Sequence, residues 1–110
     1  MLYELRETKE ALADLEKMVK YIVRRFKNVQ AAYRLLEQYD IAVQYLKQVP
    51  FGYREIGFVY RGCEIRKKPF ETYNIFYVVN SEDKIIYILR VLKDRQDWNI
   101  LFSENREYHF

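Results

Sequence analysis

Two apolar runs dominate the pattern along the chain, Tyr73–Val79 and Ile85–Leu92, and both are apolar at odd and even positions alike. A strand with one wet face alternates with a period of two. Unbroken runs of this length therefore predict the centre of a sheet covered on at least one side. The four polar residues between them, Asn80-Ser81-Glu82-Asp83, have the length and chemistry of a short hairpin loop. A third strand is expected over Glu64–Lys68, followed by a turn at Pro69.

Upstream the period changes. Leu2, Tyr3 and Leu5 predict a short first strand within Met1–Arg6. Thr8 then stands as a helix N-cap, with Glu10 and Asp14 near the positive end of the helix dipole. Leu12, Leu15, Met18 or Val19, Ile22 and Phe26 recur at three- and four-residue spacing, which predicts an amphipathic helix of about five turns. Its other face carries Lys17, Lys20, Arg24 and Lys27, a solvated face or a nucleic-acid contact, with Glu16 and Lys20 spaced for an i,i+4 pair. Asn28 ends this helix and caps a second, whose stripe is Ala32, Leu35 or Leu36, Tyr39, Ala42 or Val43, and Leu46. Lys47 lies in its last turn, and Pro50 with Gly52 stops it. So short a connection makes an αα-hairpin, and its apolar stripes need the sheet as their partner. Leu15, Ile22, Leu36, Ile75, Ile88 and Val91 are the residues expected to be buried between the layers.

Residues Phe51–Gly62 carry three glycines, and Phe51, Tyr53, Phe58 and Tyr60 interleave there with Arg54 and Arg61. They read as a loop. Its aromatics either tuck against the sheet edge, with Phe58–Tyr60 as an extra strand, or meet bases or a partner protein. After Trp98 one helical turn is expected through Leu101–Phe102, and then a polar, mobile tail over residues 104–110. With no repeat and no linker, residues 1–110 form a single domain.

Composition narrows the function classes. Half of the 110 residues are hydrophobic, enough for one core, and 17% are aromatic, eleven of them Tyr, a residue suited to surfaces that both pack and bind. The net charge is only +3, so local clustering of charge matters more than the total. Cys63, the single cysteine, cannot close an internal disulfide and reads as a small packing residue. No secretory or membrane-spanning segment is visible, and the expected location is cytoplasmic. There is no Gly-rich phosphate loop, no HExxH and no Cys/His set for zinc, so no metal or cofactor is expected. His109, the one histidine, lies second from the end and offers no buried nucleophile–histidine arrangement. The remaining signal is cationic: Arg66, Lys67 and Lys68 at one strand, and Arg90, Lys93 and Arg95 at another. Such a cluster either recognises a phosphate or is neutralised locally by Glu64, Glu71, Asp94 and Asp97.

The segments ALADLEKMVKYIVRRF, AAYRLL, EIRKKPFETYNIFYVV and IIYILRVLKDRQDW, in this order, resemble the RelE/ParE superfamily of toxins from type II toxin–antitoxin (plasmid stabilisation) modules. The likeness runs from about Leu2 to Leu101. It implies an α+β fold in which an N-terminal strand and a helical hairpin pack on a small antiparallel sheet. It also implies growth arrest as the activity and a cognate antitoxin that wraps the toxin, in a toxin–antitoxin hetero-oligomer or beside a toxin homodimer.

Two modes of action follow from the resemblance. RelE-like members are metal-independent endoribonucleases that cut messenger RNA in the ribosome, a 2′-hydroxyl attacking the phosphate beside Lys, Arg and sometimes Tyr or His. Some ParE-like members instead poison DNA gyrase. Here Arg66 and Lys67 match the basic strand loosely. Asn74 stands where some RNA-cutting relatives have Arg, and Lys93 where many ParE-like chains have His. The helical hairpin and the ending after RVL point to the ParE branch and to inhibition of a target such as gyrase, with ribosome-bound message as the alternative. Arg66, Lys67, Arg90, Lys93 and Arg95 are the candidate catalytic residues. Arg54, Arg61, Arg66, Lys67, Arg90 and Lys93 are the candidates for holding the target or its phosphates.

Overall fold

The structure, a computed structural model, describes residues 2–104 and 106–110; Met1 of the expected first strand and Asn105 of the expected tail lie outside the described residues. Strand β1 (Glu4–Glu7) leads into helix α1 (Lys9–Phe26) and helix α2 (Val29–Gln48). Four strands follow, β2 (Arg54–Tyr60), β3 (Cys63–Phe70), β4 (Tyr73–Asn80) and β5 (Ile85–Lys93), and then a short helix α3 (Trp98–Ser103). Both long helices begin on the caps expected of them. The Ala11 N–H donates to Thr8 Oγ1 at 3.0 Å, and the Ala31 N–H donates to Asn28 Oδ1 at 3.0 Å. Between the helices Lys27 takes a left-handed conformation, φ 50°, which reverses the chain within two residues.

The strands form one sheet in the order β1-β5-β4-β3-β2. Four of its strands run antiparallel to their neighbours, but β1 pairs parallel with β5, Glu4 opposite Ile85 and Glu7 opposite Ile88, so the sheet is mixed rather than wholly antiparallel. The loop segment Arg54–Tyr60 is a full strand with a bulge near Gly57, whose φ of 86° suits glycine. β3 runs through Pro69 and turns only at Glu71, φ 49°. Proline is tolerated there because β2 pairs no further along β3 than Lys67, which leaves Pro69 with β4 as its one neighbour.

Both faces of the sheet are covered. On one, Leu15, Leu35, Tyr39, Val43 and Leu46 of the helical hairpin meet Ile75, Tyr77, Ile86, Ile88 and Val91. On the other, Phe102 and Tyr108 close over Ile65, Phe76, Val78, Leu89 and Leu92. The double cover explains why β4 and β5 carry apolar residues on both faces. The β4–β5 register shifts between Phe76 and Tyr77, which leaves Leu89 as an extra residue in β5. Ile88 and Val91, three apart, therefore reach the same core.

Three expectations need correction. Leu36 is 39% exposed, and Leu35, at 5%, is the inward residue of α2. Ile22 is only half-buried, whereas Leu15, Ile75, Ile88 and Val91 are buried as expected. The stretch expected to be a mobile tail packs instead: Tyr108 is buried edge-on against Tyr60, and Phe110 lies against Tyr87 with ring centres 4.6 Å apart.

Candidate functional site

A concave cationic feature lies where α1 crosses the end of β5. A cleft of about 310 Å³ opens there, with Met18, Tyr21, Tyr73 and Val91 as apolar walls and Lys17 and Lys93 at its rim. Topology sets this geometry. β1 covers the edge of β5 only as far as Ile88, and the chain then turns into α1, whose side chains take over the unpaired edge. Thr8 Oγ1 donates to the Leu89 carbonyl at 2.9 Å, and Asp14 Oδ2 accepts from the Val91 N–H at 2.9 Å. Asp14 is thereby fixed on the inner face of α1, at the floor of the cleft.

Arg90 is fixed with it. Its Nε and Nη2 donate to the two oxygens of Asp14 at 2.7 and 2.8 Å, a bidentate pair with only 15% and 9% of the two side chains exposed. The hydrogen bond to Asp14 holds the guanidinium charged, raising its pKa further. Burial raises the pKa of the Tyr73 hydroxyl above the ordinary phenol value, so it is not a base near neutral pH. Lys93 lies with Nζ 5.7 Å from the centre of the Tyr21 ring and makes no ion pair with a described residue.

The other predicted site residues lie elsewhere. Arg66 donates to the Tyr53 carbonyl at 2.7 Å and to Glu55 at 2.9 Å, and stacks over Phe51. Lys68, beside it on the helix side of the sheet, donates to the Tyr53 hydroxyl at 3.0 Å. Arg54 and Lys67 are paired in register and share the opposite face, where Lys67 approaches the Trp98 ring at 5.7 Å. Arg61, in the turn after β2, is bound to Glu107 of the tail at 2.7 Å. Arg95 is exposed in the turn between β5 and α3. Asp94 anchors that turn, its N–H on the Thr72 carbonyl and its carboxylate on Asn74 Nδ2 at 3.0 Å. The sheet thus separates residues that the sequence placed together, and only Arg90 and Lys93 share the cleft.

Two features escaped the sequence reading, the partner of Asp14 and the burial of Asn74. Asp14 was read as a dipole charge on α1, and nothing local shows that its partner lies 76 residues away. Asn74 is 1% exposed, and its Oδ1 has no hydrogen-bond partner among the described residues, an uncommon state for a buried acceptor. No group of three or more His, Cys, Asp or Glu side chains placed to hold a metal ion occurs among the described residues. No helix among them is long and apolar enough to cross a membrane.

Several solved structures share this fold. The chromosomal ParDE toxin–antitoxin system of P. aeruginosa matches with a TM-score of 0.67 at 22% identity, covering 84% of this chain and 96% of that one. The RelBE2 toxin–antitoxin complex of Mycobacterium tuberculosis matches with a TM-score of 0.57 at 20% identity, covering 84% and 99%. The archaeal RelE–RelB complex of Pyrococcus horikoshii OT3 matches with 0.52 at 20%, covering 87% and 99%. No curated protein matches the chain. The sequence model for the ParE toxin of the type II toxin–antitoxin system parDE matches residues 5–98, from β1 to the start of α3. With that match spanning most of its length, the chain belongs to the ParE toxin family and is a toxin of a type II toxin–antitoxin system.

Proposed function

We propose that this toxin arrests growth by binding and inhibiting a cytoplasmic target such as DNA gyrase, with no bond-breaking chemistry of its own, and that a cognate antitoxin neutralises it by covering its surface in a hetero-oligomer. The commitment of Arg66 and Arg90 carries the reading. A metal-independent ribonuclease must bring a base, an acid and a charge-stabilising group within hydrogen-bond reach of one phosphate. Here Arg66 is held by Glu55 and Tyr53, Arg90 is held by Asp14, and Lys67 lies across the sheet beside Trp98. Lys93 remains at the rim of the cleft, suited to a charged contact with a partner. The antitoxin half of the proposal is supported by the relatives, whose structures are toxin–antitoxin complexes. It is also supported by apolar residues left open on the outer side of the helical hairpin, among them Leu12, Tyr33 and Leu36.

The experiment runs the purified toxin in parallel on gyrase-dependent DNA breakage and on ribosome-bound message. Gyrase inhibition that weakens in Lys93→Ala, with message intact, is the expected result. Cleavage of message that is abolished by Lys67→Ala or Lys93→Ala, with gyrase unaffected, would overturn the proposal in favour of the ribosome-dependent endoribonuclease.

A further inference from the structure

Beyond the cleft, its rim continues along the outside of α1 as a cationic surface. Lys17, Lys20, Arg24 and Arg25 surround Tyr21 in a second open depression, which shares Lys17 and Tyr21 with the cleft and so connects to Lys93. Of these five cations only Lys20 has an ion-pair partner among the described residues, Glu16 at 2.7 Å, on its own helix. A protein of net charge +3 has thus gathered four unpaired cations on one surface of about two helical turns. Like charges this close repel one another, and a polyanion is the partner that removes the repulsion.

We infer that this surface binds the phosphate backbone of duplex DNA. The inference rests on the reading of gyrase as target, since that enzyme holds a DNA duplex, and it gives the toxin a contact with the nucleic acid as well as with the protein. The spacing favours a regular backbone. Lys17, Lys20 and Arg24 follow one another by three and four residues on a rigid helix, a rise of about 5 Å per step at 1.5 Å per residue. That lets successive side chains reach successive phosphates along one strand. Tyr21 argues against a single strand. Lys93 already approaches its ring at 5.7 Å, and Phe26 stands edge-on to it at 5.8 Å, so the ring is not a free platform for an unstacked base.

The test is fluorescence anisotropy of a labelled duplex DNA with the purified toxin across a salt series. About four neutralised phosphates predict that affinity falls roughly a hundredfold between about 50 and 200 mM salt. The double variant Arg24→Gln/Arg25→Gln should bind more weakly and flatten the salt slope by about two, while Lys47→Gln, at the far end of α2, should leave both unchanged. Arg24 and Arg25 are exposed and Lys47 is half-buried, and circular dichroism checks that the fold is intact in each variant. Absence of duplex binding, equal binding by the double variant, or tighter binding to RNA than to duplex DNA overturns the inference. Gyrase inhibition measured on the same preparations separates the two claims. Wild-type inhibition by a toxin that binds no DNA defeats this inference alone. Salt-dependent DNA binding by a toxin that leaves gyrase untouched upholds the surface and defeats the target.

Discussion

Asp14 joins the first helix to the last strand through three hydrogen bonds, two from Arg90 and one from the Val91 backbone. Replacing it by Ala leaves a buried guanidinium unpaired and a strand edge without an acceptor. Removing one partner of a buried pair costs about 3–5 kcal/mol, far more than the net contribution of the intact pair. Asp14→Ala should therefore lower the denaturation free energy by about that amount; a loss below about 1 kcal/mol would mean that water reaches the pair and restores it. The same pair explains why Arg90 could not be assigned from the sequence. A cation at the end of an apolar row looks like a ligand-binding group, and only the crossing of α1 over β5 reveals an internal partner.

Within elements, the apolar stripe of α2 left open which of two adjacent leucines faces inward, because positions 35 and 36 lie about 100° apart on the helical wheel and both fit a stripe of ordinary width. Burial resolves the phase: Leu35→Ala should cost about 2–5 kcal/mol, whereas Leu36→Ala should cost less than about 1 kcal/mol, as an exposed position does. Urea denaturation of the two variants checks this, and the reverse order would place the hairpin on the wrong face. The final segment was misread for a different reason. Its polar composition predicts a loose end, but Tyr108 and Phe110 are its anchors, and carboxylates pin its backbone. Glu10 accepts from both the N–H and Nδ1 of His109. Although burial pushes the Glu10 pKa upward, those hydrogen bonds hold it below the ordinary carboxylate value. Glu107 is likewise lowered, by Arg61. A carboxylate whose pKa is lower in the folded state stabilises above its unfolded pKa and loses that contribution as pH falls through its folded value. Hydrogen-exchange protection of the Tyr108 and His109 amides should thus hold at neutral pH and decline as pH falls below about 4.5. Protection that persists through that range would mean that the aromatic contacts alone hold the tail.

Across the molecule, one sheet divides two cores, and the smaller depends on residues beyond β5. Phe102 packs against Phe76 with ring centres 5.0 Å apart and against Phe58 at 6.3 Å. Phe102→Ala should cost about 3–5 kcal/mol by the cavity it leaves between α3 and the sheet. A calorimetric transition unchanged in that variant would show α3 to be a dispensable appendage. The strong apolar runs made the central strands legible, and the helix caps and stripes made the hairpin so. β2 was not legible along its whole length, because Gly57 and its bulge interrupt the alternation. The candidate site was legible in its residue types but not in its grouping: alternation along β3 sends Arg66 and Lys67 to opposite faces, and no local pattern shows which face a distant cation will share.

The parallel pairing of β1 with β5 also bears on the order in which the molecule is made. Glu4–Glu7 pair as a strand with Ile85–Ile88, and the side chains of Thr8 and Asp14 bond Leu89, Arg90 and Val91. Contacts between such distant parts of a chain form late. During synthesis the N-terminal strand therefore waits for the last strand, and in a nascent chain stopped at Lys84 it should be digested readily by protease. A toxin built this way should complete its sheet, and with it the surface open to an antitoxin, only when its synthesis is nearly finished.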